Sequence, residues 1–369
     1  MNKKAIALMA VCAFLLSACQ TEDPNTKEKE TVGKEIETTS QLSNDYYSAI
    51  ITDGAYQTSL NRGITLGLNS NVNLKAFETG LMDLSQKHYA TDTYYFQEGQ
   101  YIDADTTSKW LSRVSEENPE GLNPEDNGDV EPDGRNPIYL DSLLEQDYMI
   151  KKGDGFELGG ISIGLAMNSV DYYTKKEFGS EFETKISKEE LLAEGQKMAD
   201  KIVQRLRKTE GIGNIPIVVG IFEQSTKDNL AGGVYISEAI SEEGSTSLKD
   251  WKSINQKKLI FPTSGEESNE LSSFQNFKAE IENFFPNLSG VTAEALYTDN
   301  QIMSMKVSIN TQFYGESEII ALTQHVAEKA SSFLLPNIPI EITIDSINGT
   351  EAFLSREAGE TEFYSHVFD

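Results

Sequence analysis

The sequence has little cysteine, little histidine and far too few basic residues to balance its acids. Of 369 residues, two are cysteine and three histidine, and 31 Lys and Arg stand against 59 Asp and Glu, a formal net charge of −28. Two cysteines exclude a disulfide framework, so the folded part must be held by packing. Three scattered histidines give no zinc-ligand set, and no metal or cofactor is expected. The excess of acid repels phosphate backbones and supplies no basic stripe, which excludes DNA and RNA as partners. A Walker loop, a dinucleotide fingerprint and a metalloprotease histidine pair are all missing. There is also no apolar run long enough for a comfortable membrane span: the uncharged stretch 5–18 is about fourteen residues, whereas a spanning helix needs roughly twenty.

That short stretch is informative. It follows Met1-Asn2-Lys3-Lys4, giving the basic start and short apolar core of a secretory signal. Leu16-Ser17-Ala18 then leads directly into Cys19, a small-residue cleavage site that resembles the bacterial lipobox. The expectation is cleavage between Ala18 and Cys19, diacylglycerol on the Cys19 sulfur, and attachment to the outer face of the cytoplasmic membrane. Each buried methylene contributes about 0.8 kcal/mol, and two chains or more make attachment lasting where one fourteen-carbon chain does not. Cys12 leaves with the signal, so the mature chain keeps one cysteine and that one is lipidated.

Residues 20–41 are polar and charged with almost no apolar side chains, the composition of a tether. The remaining length exceeds the usual size of one core, so two lobes are expected. The spacing predicts a helix around residues 74–84, an aromatic run at Tyr94-Tyr95-Phe96, and a long acidic loop over 115–136. The stretch 160–168 alternates as a strand. Ser187 stands three residues before Glu190, a capping box that opens a helix ending near Gly211, and a strand follows at Asn214-Ile215-Pro216-Ile217. The same order recurs: a strand at 303–309, a helix from about Glu316, and Asn337-Ile338-Pro339-Ile340. The expected fold is therefore α+β or α/β, with two lobes, each a β-sheet with packed helices, related by duplication of a strand-helix-strand unit. The boundaries read as 1–18 signal, 19–41 lipidated cysteine and tether, 42–235 N-terminal lobe and 236–369 C-terminal lobe, with the join placed between 225 and 275.

Three chemistries can be weighed. Gly160-Ile161-Ser162-Ile163-Gly164 matches G-x-S-x-G, where a nucleophilic serine occupies a sharp strand-to-helix turn. Here the alternation runs on through Leu165 and Met167, and neither His325 nor His366 has the setting of a base; an extracytoplasmic serine hydrolase using Ser162 is the alternative reading. Asp129, Glu131, Asp133 and Gly134 follow the first half of a calcium loop, but its twelfth position is Leu140, with Asp141 one place late. Aromatic clusters at 94–96, 172–173 and 284–285 suit core packing or a groove for a peptide or a glycan.

A set of short segments, taken in order, resembles one family. It comprises Arg62-Gly63, Phe77-Glu78-Thr79-Gly80-Leu81, Tyr94-Tyr95-Phe96-Gln97-Glu98-Gly99-Gln100, Trp110-Leu111-Ser112-Arg113 and Gly121-Leu122-Asn123-Pro124. Leu144-Glu145-Gln146-Asp147-Tyr148, the run 160–170, Gln312-Phe313-Tyr314-Gly315 and Gln324-His325-Val326-Ala327 complete it. Across nearly the whole chain these are similar to the CamS sex-pheromone lipoproteins of low-GC Gram-positive bacteria. The resemblance implies a lipoprotein whose cleaved signal is trimmed to a short hydrophobic peptide, a mating pheromone for conjugative plasmids, and a folded part without enzymatic role. By position that peptide is Cys12-Ala13-Phe14-Leu15-Leu16-Ser17-Ala18.

Overall fold

The computed structural model describes residues 35–65, 68–262, 268–284 and 288–368. A small three-stranded sheet comes first, from β1 (Ile36–Thr38), β2 (Ile50–Thr52) and β3 (Ala55–Tyr56). The chain is thus paired at Ile36–Thr38, inside the stretch 19–41 read as tether. All three β1 residues are exposed, so this strand needs ladder hydrogen bonds and no apolar face, and composition alone does not announce it. A short helix α1 (Arg62–Thr65) follows, and then α2 (Asn71–Ser85), which begins where Ser70 accepts a hydrogen bond from the Asn73 N–H.

The first large sheet and its helices come next in chain order: β4 (Tyr94–Glu98), α3 (Ala104–Leu111), β5 (Leu140–Lys152), β6 (Gly155–Asn168), a hairpin of β7 (Val170–Thr174) and β8 (Glu181–Lys185), α4 (Lys188–Leu206), β9 (Ile217–Gln224), β10 (Val234–Ser241) and β11 (Lys252–Ser253). Its strand order is β4-β5-β6-β9-β10-β11, antiparallel except for the central β6–β9 pair, which is parallel across α4. Ser187 caps α4 through the Glu190 N–H, as the capping box requires.

The second sheet repeats that plan. It is built from β12 (Gln256–Phe261), α5 (Asn269–Phe284), β13 (Leu288–Thr298), β14 (Gln301–Thr311), α6 (Glu316–Phe333), β15 (Ile340–Ser346), β16 (Gly349–Arg356) and β17 (Tyr364–Val367). Its order is β12-β13-β14-β15-β16-β17, and again the only parallel pair, β14–β15, is the one crossed by a helix. The agreement reaches single bonds. Pro216 accepts the N–H of Ile161 at 3.1 Å, and Pro339 accepts the N–H of Met305 at 3.2 Å. Each proline opens a parallel strand where its missing donor is tolerated, which gives the repeated Asn-Ile-Pro-Ile one structural job in both lobes. Strand order, helix placement and proline contact all recur as duplication of one unit would leave them.

The chain crosses between sheets at Ile254-Asn255. A cut at 235/236 falls inside β10, because the Val234–Ser241 strand continues the first sheet through its ladder with β9. The two sheets are packed differently. The first is covered on both faces: Trp110 of α3 and Leu191, Met198 and Ile202 of α4 lie in the core on one side, and Phe77, Leu81 and Leu84 of α2 in the core on the other. The second carries α5 and α6 on one face, with Phe274, Phe277, Leu322 and Val326 against β13–β16. Its β14 alternates accordingly, Met305, Val307 and Ile309 buried between exposed Lys306 and half-buried Ser304 and Ser308. The polar side of β12–β14 turns towards α2. No helix among the described residues is long and apolar enough to cross a membrane.

Candidate functional site

Where α2 meets the helix-free side of the second sheet, a groove of about 490 Å³ opens. Its size is that of a small-molecule or short-peptide site, and its place between two lobes is where such sites concentrate. One wall is the flank of α2 turned away from the first sheet, with Val72, Lys75, Ala76, Thr79 and Asp83, and Lys87 just past its end. Helical spacing explains this division, because Phe77 and Leu81 occupy the opposite flank and anchor the helix. The facing wall is Lys258 of β12, Glu294 and Leu296 of β13, and Ser304 and Lys306 of β14. Tyr235 closes the floor, buried, its hydroxyl donating to the Phe77 carbonyl at 3.0 Å. Gly80 lets the helix approach this ring: a Cβ there would sit 2.8 Å from Tyr235 Cδ2.

The groove is charged on both walls. Lys258 pairs with Glu294 at 3.2 Å, Lys306 with Glu341 at 3.3 Å and Lys87 with Glu238 at 3.1 Å. Asp83 keeps contact with solvent yet is walled by protein, and burial raises its carboxyl above the usual range against the opposing pull of Lys306, Lys258 and Lys87. Beyond Lys87 lies a smaller hollow of about 280 Å³ with His88 and Glu238. Burial lowers the His88 imidazole below its ordinary value, although Glu238 lies 3.9 Å away.

A second polar centre is sealed inside the first lobe. Glu145 and Asp147, two apart on β5, share one side of the strand and are each about 1% exposed. The turn after β4 closes over them. Gln100 N–H donates to Asp147 Oδ2 at 2.9 Å, Tyr101 N–H to Glu145 Oε1 at 3.0 Å and Ile102 N–H to Glu145 Oε2 at 2.8 Å. Gly99 has to lack a side chain, since a Cβ would come within 2.5 Å of the Glu145 Cβ. Two carboxylates so placed cannot both ionise. Burial, and then the charge of Glu145, push the Asp147 carboxyl well above its ordinary value, while burial raises Glu145 less. The pair therefore keeps a proton to higher pH than an ordinary carboxyl would, and Asp147 Oδ1 is buried without a hydrogen-bond partner. The segments Tyr94-Tyr95-Phe96-Gln97-Glu98-Gly99-Gln100 and Leu144-Glu145-Gln146-Asp147-Tyr148 are thus two halves of one structure.

Ser162 is fully buried in the centre of β6, between Gln146 and Val218, with its Oγ 2.7 Å from Ser85 Oγ. The G-x-S-x-G pattern here has a packing cause. Gly160, Ser162, Gly164 and Ala166 face α2, where aromatic rings press on the sheet, and Ile161, Ile163, Leu165 and Met167 face α4. A Cβ on Gly160 would meet Tyr89 at 2.3 Å, and one on Gly164 would meet Phe77 at 2.7 Å. The serine is a small residue in a stripe, with no elbow and no opening, which removes the nucleophile from the hydrolase reading. His325 stacks on Phe284 at 4.0 Å between ring centroids, and His366 lies on β17 against Phe368. Replacing Ser162 with Ala is expected to cost less than about 1.5 kcal/mol, since Ser85 keeps its bond to the Leu81 carbonyl. Denaturant unfolding measures the cost.

In the acidic loop, Asp129 accepts from the Glu131 N–H and Glu131 pairs with Lys175, while Leu140 is buried and Asp141 accepts from Gln224. Among the described residues no group of three or more His, Cys, Asp or Glu is placed to hold a metal ion. Tyr94 and Phe96 pack onto Tyr89 and Tyr148, and Tyr172 and Tyr173 lie under Lys227 and Arg135. Phe285, Ala18, Cys19 and the segment Cys12-Ala13-Phe14-Leu15-Leu16-Ser17-Ala18 lie outside the described residues.

Comparison with known proteins gives one consistent result. A family model described as the CamS sex pheromone cAM373 precursor matches residues 56–362. The chain is similar to a sex pheromone precursor from Lactobacillus salivarius subsp. salivarius UCC118, at 41% identity and a TM-score of 0.87, over 91% of this chain and 99% of that one. It is also similar to the C-terminal domain of the sex pheromone staph-cAM373 precursor from Staphylococcus aureus, at 30% identity and a TM-score of 0.71, over 82% and 99% respectively. No curated protein matches the sequence.

Proposed function

This chain belongs to the CamS sex pheromone cAM373 precursor family, and on that footing we propose that it is a lipoprotein precursor giving two products at the Ala18–Cys19 bond. The first is the segment Cys12-Ala13-Phe14-Leu15-Leu16-Ser17-Ala18, released by trimming the cleaved signal. Its side chains carry no formal charge at neutral pH, so a peptide of this size can leave the cell and act as a mating signal to plasmid-bearing partners. The second is the folded body, held on the outer face of the cytoplasmic membrane by diacylglycerol on the Cys19 sulfur, with further acylation, such as palmitate, on the new amino terminus. The observation that carries this reading is the run Leu16-Ser17-Ala18-Cys19 directly after the apolar core of the signal. The body acts as a binding protein and not as an enzyme. The burial of Ser162 supports this, as does the groove beside α2.

Mass spectrometry of the culture medium tests the first product. The expected finding is a peptide ending at Ala18 that disappears in a Cys19→Ala strain; a medium without any fragment ending at Ala18 overturns the peptide reading.

A further inference from the structure

Four lysines, Lys75, Lys87, Lys258 and Lys306, open onto the groove between α2 and the second sheet, whose lining contains two carboxylates, Asp83 and Glu294. In a chain with 59 acidic and 31 basic residues this inverts the prevailing sign. Lys75 makes no ion pair among the described residues. Lys87 and Lys306 pair with Glu238 and Glu341, which lie outside the lining. Between the lysines the surface is apolar, with Val72, Ala76, Leu84, Ile254 and Leu296.

We propose that this groove binds an acidic peptide in an extended conformation, its carboxylates on the lysines and its intervening apolar side chains on the surface between them. An extended chain alternates its side chains, which suits a site where α2 offers one set of contacts and the β12–β14 face another. The apolar share of the lining favours a peptide over a hydrated anionic polymer. A glycan lacks its usual platform here, because Tyr235, the only aromatic ring in the lining, is buried with its hydroxyl already engaged. On binding, carboxylates of the peptide exchange for Glu294 and Glu341 at Lys258 and Lys306. The surrounding field of the chain repels anions at long range, so recognition depends on contact-range pairing and weakens as salt rises.

Titration calorimetry on the intact chain, with an acetylated octapeptide of alternating Glu and Leu as probe, tests this. The expected result is binding that falls by about tenfold or more when Gln replaces Glu in the peptide, and by a similar factor in the Lys258→Gln/Lys306→Gln double variant. Lys75→Gln, at an exposed helix position, provides a second variant whose folding is not in question, and it is expected to weaken binding in the same direction. Equal binding of the Gln peptide, unchanged binding by both lysine variants, or no heat at millimolar peptide overturns the proposal. So does tighter binding of hyaluronan than of the peptide, which makes the site one for a polymer.

Discussion

Glu145→Ala lowers the stability of the folded chain by about 2–6 kcal/mol, the cost of leaving two backbone donors without their acceptor. Tyr101 and Ile102 N–H groups lose their acceptor inside the protein, and each unsatisfied buried donor costs about 1–3 kcal/mol. The corner that then loosens holds more than itself: Leu60 N–H donates to the Gly99 carbonyl and Gln100 Nε2 to the Thr58 carbonyl, so the segment before α1 is moored there too. Denaturant unfolding measures the loss, and a change below about 1 kcal/mol contradicts the account.

The same pair sets a pH dependence opposite to ordinary acid denaturation. Both carboxyls are raised in the folded chain, Asp147 well above its value in an unfolded one, with burial as the first cause in each. A group raised on folding contributes stability that is fully present below its unfolded value, about 3.9 for Asp, and is lost as pH rises through the folded value. The pair therefore favours the fold in mild acid and weakens it towards neutral and alkaline pH. Asp147→Asn replaces one carboxyl of the pair with an amide that cannot titrate. Unfolding midpoints across pH are expected to show this declining component in the native chain and a flatter profile in the variant; two parallel profiles mean that the proton is not shared there.

Phe77→Ala is the second large effect, expected at about 3–5 kcal/mol. Its ring is fully buried, 5.2 Å from Phe222 and 6.0 Å from Tyr235 between centroids, over the bare backbone of Gly164. The glycine beneath has no side chain to move into the space, and Tyr235 is held by its hydroxyl's bond to the Phe77 carbonyl. The consequence extends to the groove, since Phe77 fastens α2 from the side opposite Lys75, Ala76 and Asp83. The variant is expected to bind the acidic octapeptide more weakly even under conditions where it remains folded. Calorimetry alongside unfolding separates the two effects, and a variant as stable as the parent contradicts the assigned role of the ring.

Periodicity made much of the framework legible. The helix around 74–84, the capping box at Ser187, the strands around 160, 217, 305 and 340, and the repeated order all correspond to elements seen in the structure. They are local features, and local spacing reports them. The boundary at 235/236 lies within the 225–275 range that the sequence leaves open, whereas β10 is held to the first sheet by its ladder with β9, which no spacing reveals. The exposed β1 was invisible for the same reason. Glu145 and Asp147 read as ordinary acids until the turn at Gly99 is seen closing over them; two acids at alternate positions of a strand were the available signal. The groove had no local signal at all, since Lys75, Lys258 and Lys306 meet only when one lobe is laid on the other. G-x-S-x-G was visible and led towards chemistry, while its cause is the fit of small residues beneath Tyr89 and Phe77.

Cleavage and lipidation at Cys19 decide which products the chain gives. Mass spectrometry of the amino-terminal peptide from membranes, after cleavage at Lys27, tests this most directly. The account predicts a peptide that begins at Cys19 and carries diacylglycerol on its sulfur, with the preceding eighteen residues gone. An amino terminus elsewhere, or Cys19 present with a free thiol, contradicts it.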